Sequence, residues 1–258
     1  MLPERSHNGR MRIVSYNIYN GGEGRADPLA EVILAQKPDV VALVEADDPA
    51  TTQRIARRLK MDFIEAPGRK HTSALLSRFP ISETINHGLN QSFLEATVLD
   101  DGGVEWPIGV LHLPAGAMEA DEAVRLSEIA VVLKLLQPHR DAGRPHLLCG
   151  DFNSNAPYQR IEPQRCKIKT RQAWLKNGSN LPRRVIQTVV AAGYLDTYHS
   201  LHDEQSQMVG TFDTQNPGQR VDYIFAFGLS KTAVKSAWIE QDRLAKYASD
   251  HFPIGAEI

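Results

Sequence analysis

The chain has 258 residues, 42% of them hydrophobic and 23% charged, which excludes a disordered chain and suits one globular α/β or all-β unit. No apolar run approaches the ~20 residues of a membrane span. The formal net charge of −2 excludes a uniformly basic nucleic-acid coat.

Residues 1–10 are polar and read as a loose tail before a single domain at 11–258. They hold no apolar h-region, so no secretory signal is readable and a cytoplasmic location is expected. Residues 11–18 alternate apolar and polar side chains and predict a strand. Asp27-Pro28 predicts a helix N-cap followed by Pro at the first helical position, with the helix running to about Gln36. Residues 39–44 are β-branched and apolar, a buried strand ending at Glu45; Asp48-Pro49 opens a second helix to about Lys60.

Short strands are expected near 61–65, 72–77, 81–87 and 93–99, then a hairpin turn at 100–103 and a returning strand over 104–111. Residues 120–136 carry Ile129, Val132, Leu133 and Leu136 at helical spacing. Residues 146–149 are a further buried strand, leading into Gly150-Asp-Phe-Asn153.

Residues 158–184 hold eight basic side chains, Arg160, Arg165, Lys167, Lys169, Arg171, Lys176, Arg183 and Arg184, against the single acid Glu162. The segment is therefore +7 on a body of −9, and invites an anionic partner. It reads as a long loop with a short helix, followed by a helix over 183–192 stopped by Gly193. Strands are expected at 209–213, 220–226 and 233–239, with a last one at the C-terminal end. Helices between strands, with hairpins, predict a layered α/β protein with mixed sheets. Two cysteines suit a reducing compartment: Cys149 reads as core and Cys166 as an exposed thiol with no activating motif.

Strongly polar residues sit at the ends of these apolar segments: Asn17, Glu45, His112, Asp151, Asn153, Asp222, Asp250 and His251. Strand ends that converge on one rim can build a site from distant parts of a chain. Each residue also has a plain structural reading. Asn17 suits a turn, Glu45 an exposed loop and His112 a satisfied core position. Asp222 has Arg220 as its plain partner and a histidine as its functional one. Together these residue types support metal-assisted phosphate-ester hydrolysis. Hard carboxylate oxygens suit Mg²⁺, an Asp can orient or deprotonate water, and an imidazole can meet charge building on a phosphoryl oxygen.

RIVSYNI (12–18), VVALVEADD (40–48), LLSRFPI (75–81), GVLHL (109–113), LLCGDFN (147–153), QRVDYIF (219–225) and SDHFPI (249–254) occur in an order that resembles the endonuclease/exonuclease/phosphatase superfamily. The resemblance implies the deoxyribonuclease I fold: a four-layer α/β sandwich, two packed mixed β-sheets flanked by helices. It implies Glu45 as the principal Mg²⁺ ligand (Mn²⁺ being an alternative), with Asn17 beside it and Asp250 as a further metal or water-site acid. Asp151 and His251 are the two contenders for the base that activates water. Asp222 would orient His251, while Asn153 and His112 would contact phosphate. Abasic-site endonucleases of the superfamily usually carry other residues where this chain has Val44, Tyr19 and His112. His112 instead is similar to the branch with deoxyribonuclease I, sphingomyelinases and small bacterial phosphohydrolases.

The expected activity is hydrolysis of a phosphoester by an activated water. A nucleic-acid substrate is favoured by the basic segment, in which Arg165, Lys167, Lys169 and Arg171 would meet phosphates and Trp174 would stack on bases. Arg78 lies on a loop that the superfamily places near the site. The alternative substrate is a small sugar, inositol or lipid-headgroup phosphoester. A non-catalytic binding module is the remote reading, since the polar set is complete. No protein partner and no membrane span is readable.

Overall fold

The computed structural model describes residues 11–179 and 181–258, so the expected tail at 1–10 lies outside the described residues. In chain order the elements are β1 (Arg12–Asn17), α1 (Ala26–Ala35), β2 (Val40–Val44), α2 (Pro49–Leu59), β3 (Asp62–Pro67), β4 (Thr72–Ser77), β5 (Ile81–Asn86) and β6 (Ser92–Leu99). There follow β7 (Glu105–His112), α3 (Glu119–Leu135), α4 (Gln137–Asp141), β8 (His146–Asp151), α5 (Ile168–Lys176) and α6 (Arg184–Ala191). The chain closes with β9 (Leu195–Asp196), β10 (Asp222–Phe227), β11 (Ser236–Ile239), α7 (Arg243–Ala248) and β12 (Ile254–Glu257).

The strands form two six-stranded sheets, ordered β11-β12-β1-β2-β4-β3 and β5-β6-β7-β8-β10-β9. Each is mixed: β1 and β2 are parallel in the first, β7 and β8 in the second, and the remaining pairs are antiparallel. The uninterrupted apolar run of β2 follows from burial on both faces. Val40, Ala42 and Val44 point between the sheets, where they join Leu94, Val110, Leu147, Cys149 and Ile224. Val41 and Leu43 face outward and pack with Leu29 and Ile33 of α1, Ile55 of α2 and Ala245 of α7. Across the molecule, Leu111, Leu148 and Phe225 face Ile129 and Val132 of α3 and Val185 and Val189 of α6. The result is four layers: helices, sheet, sheet, helices. Among the described residues no helix is long and apolar enough to cross a membrane.

Several local expectations are corrected. The first helix is capped by Arg25, and Asp27 lies inside its first turn, where its carboxylate binds Arg54 at 2.6 and 2.9 Å. Asp48 does cap α2, accepting the amides of Ala50 and Thr51. Residues 209–213 do not form a strand. Phe212 makes only isolated bridges to Gln219 and His251, and the Asp213 carboxylate takes the amides of Gln215 and Asn216 and turns the chain. The strand expected at 233–239 starts late, because Lys231–Ala233 coil into a 3-10 turn. Cys166 is buried rather than exposed; a Cβ on Gly218 would stand 2.5 Å from its sulfur.

Candidate active site

The parallel and antiparallel registers bring one set of strand ends to a common rim. In the first sheet, Asn17 ends β1 opposite Val44, and Glu45 follows at once. In the second, His112 ends β7 opposite Asp151 of β8, and Asp222 opens the antiparallel β10, also opposite Asp151. Asp250 and His251 lie in the connection from α7 to β12. Gly150 makes the close fit of β7 and β8 possible. Its φ is 134°, and a Cβ there would stand 1.9 Å from the Leu111 carbonyl oxygen.

Asn17 joins the two sheets. Its Nδ2 donates to Glu45 Oε1 and to Asp151 Oδ2, both at 3.1 Å, while its Oδ1 accepts the Tyr19 amide at 3.0 Å. Asn17 therefore turns its nitrogen, not the oxygen a metal needs, toward the carboxylates. The other Glu45 oxygen accepts the Asn20 amide at 2.7 Å. Glu45 (φ 56°) and Asn153 (φ 48°) both hold left-handed backbone conformations, uncommon for glutamate and readily adopted by asparagine.

On the opposite wall, His251 Nδ1 lies 2.9 Å from Asp222 Oδ2, and its Nε2 lies 3.7 Å from Asp151 Oδ2. Asp222 thus pairs with the histidine. Arg220 is instead buried against Asp196 and Glu204, at 2.7 Å from each. Asp151 Oδ1 accepts the Asn153 amide at 2.8 Å. Asn153 Nδ2 donates to the Leu113 carbonyl at 2.9 Å and stands 3.4 Å from His112 Nε2, so its amide hydrogens face the protein.

Burial sets the electrostatics. Burial and the neighbouring Asp222 charge push Asp151 up to about 7. Burial acts against the imidazolium of His251, but the charges of Asp222 and Asp151 outweigh it and raise its pKa to about 10. Burial also lowers His112 to about 4, leaving a neutral imidazole. For Glu45, burial opposes ionisation, and the Asn20 amide, His112 and Asn17 more than offset it, so its pKa falls below the usual value.

The expected metal set of Glu45, Asn17 and Asp250 is not gathered as one. Asp250 Oδ2 binds Lys167 at 3.4 Å, and Asp250 is in neither of the two clusters with metal-ligand spacing among the described residues. One cluster is Asp151, Asp222 and His251; the other is Glu45, His71 and His112, with ligand atoms within 4.8 Å of one another. These donor sets fit a divalent cation. His71 was not foreseen. It precedes β4, whose antiparallel pairing with β2 sets Ser73 against Val44 and so brings His71 beside Glu45.

The same register removes Arg78 from the site. Its amide binds the Asp39 carbonyl at 3.0 Å, at the start of β2, while Glu45 follows the other end of the strand.

The basic segment does lie beside the rim. A cavity of about 230 Å³ is lined by Asn153, Lys167, Lys169, Trp174 and Phe212, among others. Trp174 lines this cavity but is otherwise buried. Lys167 Nζ lies 4.2 Å from the Phe212 ring centroid, and that ring stands 4.7 Å from the His251 ring. Arg165 pairs with Glu162 at 3.6 Å and Arg184 with Glu119; Arg183 donates to the Ala156 and Gln159 carbonyls. Arg171 is half-buried and does not line the cavity.

The fold recurs in solved structures. An AP endonuclease from Archaeoglobus fulgidus superposes with a TM-score of 0.70 at 16% identity, covering 95% of this chain and 98% of that one. The 3′ phosphatase NExo from Neisseria, bound to a product DNA hairpin, gives 0.68 at 19% identity, covering 95% and 98%. D. rerio TDP2 complexed with a single-strand DNA product gives 0.66 at 21% identity, covering 97% and 99%. No curated protein matches the sequence significantly. A model of the endonuclease/exonuclease/phosphatase family matches residues 14–251, most of the chain, and the protein belongs to that family of phosphoester hydrolases.

Proposed function

We propose that the protein is a divalent-cation-dependent phosphodiesterase acting on nucleic acid. The observation that carries this reading is the Asn17 amide, 3.1 Å from both Glu45 and Asp151, which ties a cation-binding carboxylate on one sheet to a second carboxylate on the other. In this scheme Asp151 orients the attacking water and takes its proton. His251, held between Asp222 and Asp151, is a poor base in its protonated form and instead faces charge growing on the phosphoryl oxygen. Asp222 positions His251, Asn17 positions both carboxylates, and Asn153 holds Asp151 and His112. Glu45 is the anchor for the cation. A bound divalent cation neutralises phosphate charge and assists the departing oxygen.

Lys167 and Lys169 in the adjoining cavity suit a substrate that continues past the scissile phosphate. The likeness to proteins solved with DNA products supports the same substrate class. A small phosphoester is the second reading, favoured because several cations of the basic segment are spent on internal partners.

Hydrolysis of oligonucleotides and of small sugar and inositol phosphates, with Mg²⁺ or Mn²⁺ and at several salt concentrations, separates the two. A nucleic-acid substrate predicts cleavage of the oligonucleotide with steep loss of binding as salt rises. Turnover of small phosphoesters alone, with a flat salt response, contradicts it.

A further inference from the structure

The side chains around Glu45 are not those of an oxygen-only cation site. His71 and His112 stand with it, and their ring centroids are 5.1 Å apart. His71 Nδ1 is held by Asp47 Oδ2 at 2.7 Å, and the other Asp47 oxygen accepts the Thr72 amide at 2.7 Å. A carboxylate that fixes one ring nitrogen leaves Nε2 free and orients it, the arrangement usual behind metal-bound histidines. His112 is almost wholly buried, yet its Nδ1 has no hydrogen-bond partner, and the one hydrogen-bond contact of Nε2 is with Asn153 at 3.4 Å, with Asp151 Oδ2 at 3.7 Å. Its Nε2 lies 3.9 Å from Glu45 Oε1. With Nδ1 carrying the proton, the Nε2 lone pair points toward Glu45 and can take a further ligand.

We propose that Glu45, His71 and His112 together hold one first-row transition ion, in preference to Mg²⁺. This rests on the reading that the rim hosts a cation, and it replaces the phosphate contact expected of His112 with a ligand role. One carboxylate oxygen and two imidazole nitrogens suit cobalt- or zinc-like ions, whereas Mg²⁺ selects oxygen donors and keeps its waters. Asp47 is a positioning residue that acts through His71.

The test is binding, read independently of turnover. Metal-free protein is titrated by calorimetry with Co²⁺, Zn²⁺ and Mg²⁺, and the Co²⁺ complex is followed by visible absorption. One equivalent of Co²⁺ is expected, bound about 100-fold or more tightly than Mg²⁺. His71→Gln is expected to weaken Co²⁺ at least about tenfold and alter its absorption while changing Mg²⁺ affinity little. Asp47→Asn, which removes no ligand, is expected to weaken Co²⁺ by about tenfold. Circular dichroism establishes that each variant folds, and Asp47→Asn serves if His71→Gln does not. Equal affinity for Co²⁺ and Mg²⁺, or Co²⁺ binding and absorption unchanged in the folded variants, overturns the proposal. Phosphodiester turnover with Mg²⁺ alongside that result leaves the proposed function standing. A Co²⁺ site sensitive to His71, with no turnover under any ion, sinks the function and leaves the site.

Discussion

The imidazole of His251 is fixed from behind: its Nδ1 lies 2.9 Å from Asp222 Oδ2, and both residues are buried. That contact selects the ring orientation in which Nε2 turns toward Asp151, 3.7 Å away. Asp222→Asn keeps the shape of the pair and removes its charge. Phosphodiester turnover should fall by on the order of 10²–10³-fold, mostly in kcat, because the imidazolium loses its counter-charge. The check is steady-state kinetics beside a thermal melt. A variant with unchanged kcat would show that His251 does not depend on Asp222.

The buried Arg220 makes a separate prediction about stability. Its guanidinium meets Asp196 and Glu204 at 2.7 Å each and lies 4.2 Å from the Tyr223 ring centroid, with no exposure to solvent. Arg220→Met leaves two buried carboxylates without their cation. Breaking such a cluster from one side is expected to destabilise the fold by about 3–5 kcal/mol. Denaturant unfolding measures this; a change below about 1 kcal/mol, the scale of a surface pair, would mean the cluster is effectively solvated.

Much of the rim was legible because its residues end apolar strands. Glu45 closes a β-branched apolar run that reads as a buried strand, and Asp151 and Asn153 stand at and just past the end of another, across Gly150. What they touch depends on registers between strands far apart in sequence. His71 stands before the start of an apolar strand rather than after the end of one, and only the antiparallel β2–β4 pairing brings that start to Glu45. Arg78 fails for the converse reason: seven residues further on, at the other end of the same strand, it faces the wrong edge. The orientation of the Asn17 amide is set by the Tyr19 backbone amide, a local turn contact that residue type does not reveal. Three elements went unseen because they are short: the five residues of α4, the two residues of β9, and the six-residue α7, whose Asp242 cap was its one signal.

His146 ties stability to pH away from the site. It is buried on β8, its Nδ1 donates to the Arg144 carbonyl at 2.9 Å, and its Nε2 accepts from the Tyr194 hydroxyl at 2.7 Å. Burial lowers its pKa to about 4, against about 6.5 in an unfolded chain. Between those values the unfolded state binds more protons, so stability falls as pH drops from about 6.5 to 4, by at most ~1.4 kcal/mol per pH unit from this residue. Above about pH 6.5 the residue adds no slope. His146→Gln should flatten the acid limb of denaturant midpoint against pH. An identical acid limb in the variant would assign the loss to other groups.

The central claim is that Asp151 activates water beside a cation anchored by Glu45. Asp151→Asn keeps the side-chain shape and an oxygen for the Asn153 amide, though its NH2 then meets the Asn17 donor, and it tests this by removing the charge. The measurement is the rate of bis(p-nitrophenyl) phosphate hydrolysis with saturating divalent cation, for the wild-type protein, Asp151→Asn and Glu45→Gln. Circular dichroism and the melting temperature establish that each is folded. The account predicts wild-type turnover that chelation abolishes, a loss on the order of 10²–10⁴-fold for Asp151→Asn, and no saturable cation dependence for Glu45→Gln. A folded Asp151→Asn variant with the wild-type rate would contradict it.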